Sequence, residues 1–201
     1  MKSHSLGRVK NMPAEKKNII LAAAIDVFAR EGFYNTNTST IAEEAGVAVG
    51  TIYNYFDNKE AILEEIFARE FEHRIKKLQE LSENEELNAL EKLEEFFRFH
   101  FDRVKENPNL GQVLVREREF PRKKSEAIKD YFYSIPGKLE NLLLESEEGE
   151  KFEVNDPELF AAVIFGSVQG IMEQALRNDD LSTLDEAPEL LISLLRDGIS
   201  G

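Results

Sequence analysis

Apolar residues recur at intervals of three and four along almost the whole chain, and this spacing limits the fold more than any other feature. One face of the first such segment carries Ile20, Ala23, Ala24, Val27 and Phe28. The alternation of Val, Ile and Thr that is typical of strands does not occur. No segment repeats with a period of about 20 to 50 residues. The sequence therefore predicts an all-α protein.

Helix-starting and helix-breaking residues set the predicted boundaries. A long helix begins after Asp57 or Asn58, either of which can accept hydrogen bonds from the first backbone amides, and continues to about residue 81. Pro136 followed by Gly137 predicts a kink or break in a later helix. The other predicted helices span residues 14–30, 37–45, 48–55, 86–106, 108–118, 123–145, 157–177 and 184–196.

The predicted helices group into a small N-terminal module and a larger C-terminal one. We place the two domains at residues 1–58 and 59–201. The segment 81–87, which is rich in Glu, Ser and Asn, is predicted to be a turn between the long helix and the larger helical part.

Charge is distributed unevenly between the two ends of the chain. The net charge is −14, yet residues 1–60 carry seven basic and seven acidic residues, while the rest carries 18 basic and 32 acidic residues. Within the first 17 residues five bases accompany a single acid, Glu15. A basic arm before an acidic body is typical of a protein whose one end meets DNA phosphates. A solvated tail is an equally good interpretation of the charge alone.

Composition excludes several classes of site. The chain has no cysteine, so it can form neither a disulfide nor a thiolate zinc site. No apolar run approaches the roughly 18 residues that cross a bilayer, and segment 1–13 is polar and basic. We therefore expect a cytoplasmic protein without membrane insertion.

The segment 32–59, GFYNTNTSTIAEEAGVAVGTIYNYFDNK, carries the most specific local pattern. The hydroxyl of Thr36 is positioned to cap the next helix, on which Ile41 and Ala42 line one face. Gly46 permits a tight reversal before a second short helix. These features predict two helices joined by a tight turn.

The second short helix has one apolar and one bare polar face. At about 100° per residue, Ile52 and Phe56 lie on nearly the same side, and Gly50 and Asn54 point away from them. A short helix that is held by a few apolar anchors and presents small polar residues fits the major groove of DNA. The segment is therefore predicted to be a helix-turn-helix.

This part of the chain resembles the tetracycline-repressor (TetR) family. The resemblance lies in IAEEAGV at 41–47, GTIY at 50–53, Tyr55-Phe56 and NKE at 58–60, and it is close over about residues 14–70. It implies an N-terminal DNA-binding domain with a helix-turn-helix and a basic arm. It also implies a C-terminal helical domain for effector binding and dimerisation.

The resemblance also implies which residues contact DNA. The predicted set consists of Thr36, Thr51, Tyr55 and Lys59 on phosphates, Val49, Gly50, Tyr53 and Asn54 on bases, and Thr38 at the preceding helix. Many members carry Ser and then Lys where this chain has Ala48 and Val49, so a hydroxyl cap and a cation are missing. Alternatively, Tyr53 and Tyr55 pack on the first and fourth helices.

The apolar segment 160–175 carries two glycines four residues apart, which lets two helices approach closely. The resemblance implies a homodimer, so a second copy of the chain could cover this face. Dimerisation also has a functional reason, since two recognition helices one DNA turn apart read a palindrome. Ordinary packing within one chain is the alternative. The predicted dimer face comprises Phe165, Gly166, Gly170, Leu191 and Leu195.

Aromatic residues cluster on two helices of the larger domain, at 96–101 and 131–133. Such residues either form the core or line a pocket for a long apolar ligand. An arginine near such a pocket could bind the carboxylate or phosphate of the ligand. The chain is similar in length and pattern to members that respond to fatty acyl-CoA thioesters. The predicted ligand-binding residues are Phe97, Phe101, Arg116, Tyr131, Phe132 and Phe165.

The expected function is that of a ligand-responsive transcriptional regulator. We expect a repressor that binds double-stranded operator DNA as a homodimer and is released by a small apolar effector, for which fatty acyl-CoA is a candidate. No enzymatic activity, cofactor or metal site is expected, since His4, His73 and His100 are assigned to a tail and two charged helix faces. An all-helical adaptor is the alternative, but it leaves the helix-turn-helix pattern unexplained.

Overall fold

The computed structural model describes residues 12–119, 126–144 and 157–199, and the secondary structure in these ranges is entirely helical. The absence of strands from these ranges confirms the predicted all-α class. The helices are α1 (Met12–Glu31), α2 (Thr38–Glu44), α3 (Val49–Tyr53), α4 (Lys59–Ser82), α5 (Ala89–Glu106), α6 (Pro108–Arg116), α7 (Glu126–Leu144), α8 (Pro157–Asn178) and α9 (Thr183–Ile199).

The chain divides into two compact units, residues 1–66 and 67–201, and the division falls inside α4. The sequence places this boundary eight residues earlier, at the start of α4. The first two turns of α4 belong to the N-terminal unit, where Glu65 forms an ion pair of 2.7 Å with Lys17 of α1. A single continuous helix therefore contributes to both units.

The N-terminal unit is built around an apolar core from its four helices. The predicted stripe of α1 is buried, and it is joined by Phe33, Ile41, Ile52 and the first turns of α4. Burial of each large apolar side chain contributes about 1.5 to 3 kcal/mol. This core holds α2 and α3, which are too short to be stable as isolated helices.

Two turns of this unit depend on backbone conformations that favour glycine. Gly32, after α1, has φ 84°, and Gly46, between α2 and α3, has φ 64°. Side chains rarely occupy this left-handed region. The tight reversal that the sequence predicts at Gly46 is therefore confirmed.

The helix caps agree with the sequence at α4 and differ from it at α2. The Asn58 side chain accepts a hydrogen bond from the Ala61 amide at 2.8 Å and so caps α4. The cap of α2 is Asn37, whose side chain accepts from the Thr40 amide at 3.0 Å. The predicted cap by Thr36 is wrong, because the neighbouring Asn37 has the extended backbone that a cap requires.

The C-terminal unit packs α5 against α6, α7, α8 and α9. A capping box of Asn88 and Glu91 begins α5. The predicted break in α7 does not occur, since the helix continues through Pro136. Within the described ranges, no helix combines the length and the apolar content that crossing a membrane requires.

Candidate DNA-binding face and ligand cleft

Helix α3 turns one side to the core and the other to solvent. Ile52 and Phe56 are buried, whereas Val49 is 38% exposed and Tyr53 is 53% exposed. Asn54 is also exposed. The division into an apolar and a bare polar face is therefore as predicted. The surface that a DNA groove would meet is the exposed side of α3.

Gly50 leaves an open place on this exposed side. A Cβ atom built on it would have no heavy atom within 4 Å. Packing within the protein therefore does not require a glycine at this position. The absence of a side chain instead lets an external group approach the backbone of α3 closely.

A hydroxyl contact links α3 to the start of α2. The oxygen atoms of Tyr53 and Thr38 lie 3.1 Å apart, and either can be the donor. The contact orients the Tyr53 ring while leaving much of it exposed, so this side chain is not packed into the core. Thr51 and Tyr55 are half-buried beside it.

Thr36 does not face solvent, which contradicts its predicted contact with phosphate. Its side chain is buried, with 2% of the residue exposed, and its hydroxyl donates to the Gly32 carbonyl at 2.8 Å. The hydroxyl therefore closes the turn after α1. A contact between this side chain and DNA would require the turn to open.

Lys59 holds the loop between α1 and α2. Its ammonium nitrogen lies 2.8 Å from the carbonyl oxygens of Phe33 and Thr36 and 3.3 Å from that of Tyr34. It also lies 4.6 Å from the centroid of the Phe33 ring. An ammonium group has three donors, and these carbonyls use all of them. In this structure Lys59 therefore has a structural role, and its predicted phosphate contact would require the ammonium group to leave these carbonyls.

Most other cations of the described N-terminal helices are paired. Lys17 pairs with Glu65, and Arg30 pairs with Glu31 and Glu44. Lys16 is exposed and forms no ion pair with any residue that the structure describes. The rest of the predicted basic arm, residues 1–11, lies outside the described ranges.

The C-terminal unit contains two adjoining clefts that share Phe71, Arg74, His100 and Gln169. With the solvent-open space at their mouths included, the first cleft has about 340 Å³ of empty space and the second about 330 Å³. The apolar wall of the first cleft consists of Phe96, Ile135, Leu139, Phe165 and Val168. The second is completed by Phe67, Glu70, Leu114, Arg118 and Met172.

A buried ionic cluster borders these clefts. Glu70 accepts from Arg74 at 2.8 Å and from Arg103 at 2.5 and 3.1 Å. The Nε group of Arg74 donates to Nδ1 of His100 at 2.9 Å. The His100 Nε2 atom is therefore the protonated one, and it lies 2.9 Å from the sulfur of Met172. The cluster thus joins α4, α5 and α8 within this unit.

Burial and neighbouring charges fix the protonation states of the cluster. Burial raises the pKa of Glu70, but the hydrogen bonds and charges of Arg103 and Arg74 outweigh it and hold that pKa below its ordinary value. Burial, and then the charges of Arg74 and Arg103, lower the pKa of His100 well below 6.5. Burial also lowers the pKa of Arg74, although Glu70 opposes this. At neutral pH the cluster holds two guanidinium charges, one carboxylate and a neutral imidazole.

The predicted ligand-binding residues divide into three groups. Phe165 lines the first cleft. Phe97 and Phe101 are fully buried and Arg116 is exposed beside Glu117, and none of these three lines either cleft. The side chains of Tyr131 and Phe132 lie outside the described part of the structure.

The sequence did not identify the polar residues of the clefts. His100 was assigned to a charged helix face, but only 4% of it is exposed. His100 lies three or four residues from the buried Phe96, Phe97 and Val104, which places it on the core side of α5. This spacing could have predicted that His100 is buried. Arg74 likewise lies one helical turn after Glu70 on the inner side of α4.

Only part of the predicted dimer face is exposed. Leu191 is buried and Leu195 is half-buried, so Leu191 belongs to the core. Phe165 also faces inward, whereas Gly166 and Gly170 are exposed with open space beside them. The apolar side chains on the outside of α8 and α9, all more than half exposed, are Leu159, Val163, Leu190 and Leu194.

The tight turn at Gly46, the buried anchors of α3 and its exposed polar side define a DNA-binding transcriptional regulator of the helix-turn-helix class. Comparison with known proteins identifies the family. Residues 20–66 match the family described as "Bacterial regulatory proteins, tetR family". The fatty acid metabolism regulator protein of Bacillus subtilis strain 168 is 32% identical over 185 residues, which are 90% of this chain and 93% of that protein. The chain therefore belongs to the TetR family.

Solved structures extend the likeness to the whole fold. The fatty acid degradation regulator FadR of Bacillus halodurans has 28% identity and a TM-score of 0.78, with 96% of both chains covered. FadR of Bacillus subtilis, determined in complex with stearoyl-CoA, has 30% identity and a TM-score of 0.74 over 89% of this chain and 96% of its own. The predicted architecture and regulatory function are confirmed. Because the relatives are regulators, the expectation that the chain is not an enzyme is also confirmed.

Proposed function

We propose that this regulator is a repressor that binds a palindromic operator as a homodimer and that a long-chain fatty acyl-CoA releases it. The observation that carries the proposal is the apolar cleft that leads to a buried cationic cluster. The apolar wall would contact the acyl chain, and the cationic cluster would contact its polar end. The stearoyl-CoA complex of the similar Bacillus subtilis protein supports this choice of effector.

The proposed base contacts come from the exposed side of α3. Tyr53 and Asn54 carry groups that donate and accept hydrogen bonds, Val49 offers an apolar contact for a thymine methyl, and Gly50 permits close approach. Thr38, Thr51 and Tyr55 form the rim of this side and remain proposed phosphate contacts. Thr36 and Lys59 are not in the proposed set, because backbone carbonyls use their polar groups.

The proposed phosphate attraction comes from Lys16 and the basic arm. Lys16 is exposed at the start of α1, and the preceding segment adds Lys2, Arg8 and Lys10. The acidic C-terminal part of the chain repels DNA over the remaining surface. This division directs the N-terminal unit to the duplex.

The proposed homodimer uses the exposed apolar side chains of α8 and α9. Leu159, Val163, Leu190 and Leu194 are spaced four residues apart on each helix, and Gly166 and Gly170 continue the row on α8. Contiguous exposed apolar surface of this kind marks an interface. A twofold pairing of this face would present two copies of α3 to a palindrome.

The test is fluorescence anisotropy with labelled DNA from upstream of the protein's own gene. We expect saturable binding that exceeds binding to an unrelated fragment of equal length, and release by stearoyl-CoA. Asn54→Ala should alter the preference among operator variants, while Asn178→Ala, at an exposed position of α8, should leave it unchanged. Equal binding to all fragments, or DNA binding that stearoyl-CoA does not affect, would contradict the proposal.

A further inference from the structure

Arg74 retains a donor that no residue in the described ranges uses. Only 5% of the residue is exposed, its Nε group donates to His100, and its Nη1 group donates to Glu70. No described residue accepts a hydrogen bond from its Nη2 group. Every fully buried side-chain nitrogen or oxygen in the described ranges has a partner, so Nη2 reaches open space. The open spaces beside Arg74 are the two clefts, both of which this residue lines.

The cluster around this donor favours a negative or electron-rich group. Among the described residues, Glu70 is the carboxylate in contact with both Arg74 and Arg103, so two guanidinium charges share one negative charge there. His100 adds no charge of its own because burial keeps it neutral. An oxygen acceptor in the cleft would satisfy the remaining donor and reduce the surplus of positive charge.

Gln169 offers a second polar group at the same point. Its side chain lines both clefts and is half-buried, and it makes no hydrogen bond to another described residue. The amide of Gln169 is therefore available as a donor where the two clefts meet. The rest of the first cleft is apolar, formed by side chains such as Phe96, Leu139 and Phe165.

We propose that Arg74 and Gln169 bind the acyl oxygen of the effector at the junction of the two clefts, with its hydrocarbon chain in the first cleft. This inference rests on the proposed function and adds the group that is recognised. The acyl oxygen can belong to a thioester or to the carboxylate of a free fatty acid. His100 is a positioning residue, since its Nδ1 atom accepts from Arg74 and orients the guanidinium.

The test compares three ligands that differ at this group. Stearoyl-CoA has a thioester carbonyl, S-octadecyl-CoA has a methylene in its place, and stearate has a carboxylate. Dissociation constants are measured by isothermal titration calorimetry below the micelle concentration of each ligand. We expect the wild-type protein to bind stearoyl-CoA about 10-fold or more tightly than S-octadecyl-CoA, since the thioether leaves the donor unsatisfied.

Two variants remove the proposed donors. Arg74→Lys keeps a positive charge beside Glu70 but removes Nη2, and it should bring the ratio of the two dissociation constants to within about threefold. Gln169→Leu should also lower the ratio, with little risk to folding because the side chain makes no hydrogen bond within the described part of the chain. Gln112→Leu, the same change at an exposed position of α6, is the control and should keep the wild-type ratio.

Each outcome has a defined meaning. If the wild-type protein shows no dependence on the acyl oxygen, or if Arg74→Lys keeps the wild-type ratio, the inference is overturned, while release of DNA by both CoA compounds would leave the proposed function intact. If Arg74→Lys fails to fold by circular dichroism, the ratio in Gln169→Leu decides. Binding of stearate alone, weakened in Arg74→Lys, would support the inference and contradict the acyl-CoA effector. Absence of binding by all three ligands would overturn both.

Discussion

The two units of this chain differ in the polar side chains that they bury and in the groups that these side chains contact. In the described N-terminal unit the buried polar side chain is Thr36, and its hydroxyl is bonded to the backbone of the same turn. The C-terminal unit buries Glu70, Arg74, His100 and Glu117, and the first three of these form one cluster beside open clefts. The proposed recognition groups are therefore exposed in the N-terminal unit and buried in the C-terminal unit.

This difference agrees with the partners proposed for the two units. A DNA duplex is larger than the N-terminal unit and can be read only by exposed groups, such as Tyr53 and Asn54. A small effector can be enclosed, and charged groups act more strongly on it in an interior from which water is excluded. Replacing a buried charged residue should also cost more stability than replacing an exposed one, because removing one partner of a buried pair leaves the other charge unpaired.

The largest effect is expected for Glu70→Gln. This change leaves Arg74 and Arg103 without their shared carboxylate and should lower the free energy of unfolding by about 3 to 5 kcal/mol. Chemical denaturation measures it. Glu80→Gln, which affects an exposed pair on the same helix, should change stability by less than about 0.5 kcal/mol. Equal effects of the two changes would refute the claim that the buried cluster is costlier to break than an exposed ion pair.

A smaller loss of stability is expected for Lys59→Met. The variant keeps an apolar stem but loses the hydrogen bonds to the carbonyls of Phe33 and Thr36, which should cost about 2 kcal/mol. The salt dependence of DNA binding should keep its slope, because the ammonium group donates to backbone carbonyls and is not free to bind phosphate. Lys16→Met should show the opposite, with unchanged stability and a shallower slope. A shallower slope for Lys59→Met would restore its role as a phosphate contact.

The third prediction concerns pH. The pKa of His100 is well below 6.5 in the folded protein, so below pH 6.5 the unfolded chain takes up a proton that the folded chain does not. Stability should therefore fall as the pH decreases from about 6.5, by up to about 1.4 kcal/mol per pH unit. His100→Gln should lose this contribution to the slope in urea titrations at pH 5 to 7, whereas the exposed His73→Gln should keep it. The same slope in His100→Gln would show that another group causes the dependence.

The smallest effect on stability is expected for Gly50→Ala. A Cβ atom at this position meets open space, so the change should alter the free energy of unfolding by less than about 1 kcal/mol and can be stabilising. DNA binding should nevertheless weaken, since the methyl group lies on the side of α3 proposed to face the groove. Gly111→Ala is the contrasting variant, because its Cβ would lie 2.8 Å from Val104 Cγ1 and disturb the core. Unchanged operator affinity in Gly50→Ala would move the proposed interface away from this side of α3.

Local signals predicted most of the fold. The spacing of apolar residues placed the described helices within a few residues of their observed bounds, and Gly46 marked the reversal before α3. Capping was less certain, since Thr36 and Asn37 are adjacent and both suit a cap. Pro136 did not break α7, so the tertiary environment outweighed the intrinsic preference there.

The site residues depended on contacts that sequence spacing does not contain. Lys59 is a cation in the family pattern, but carbonyls 23 to 26 residues earlier in the chain use its donors. On α5, Phe96 lines a cleft while the adjacent Phe97 is enclosed in the core, because more than one face of this helix is buried. The cluster of Arg74 and His100 joins α4 to α5 over 26 residues, and no local pattern indicates it.

The most direct test of the account is reciprocal coupling between DNA and effector. The dissociation constant for operator DNA is measured with and without saturating stearoyl-CoA, and that for stearoyl-CoA with and without saturating DNA. If the N-terminal unit reads DNA and the C-terminal clefts bind the effector, each ligand should weaken the other by the same factor, of about 5-fold to 150-fold. A factor of one, with both ligands bound, would contradict the account.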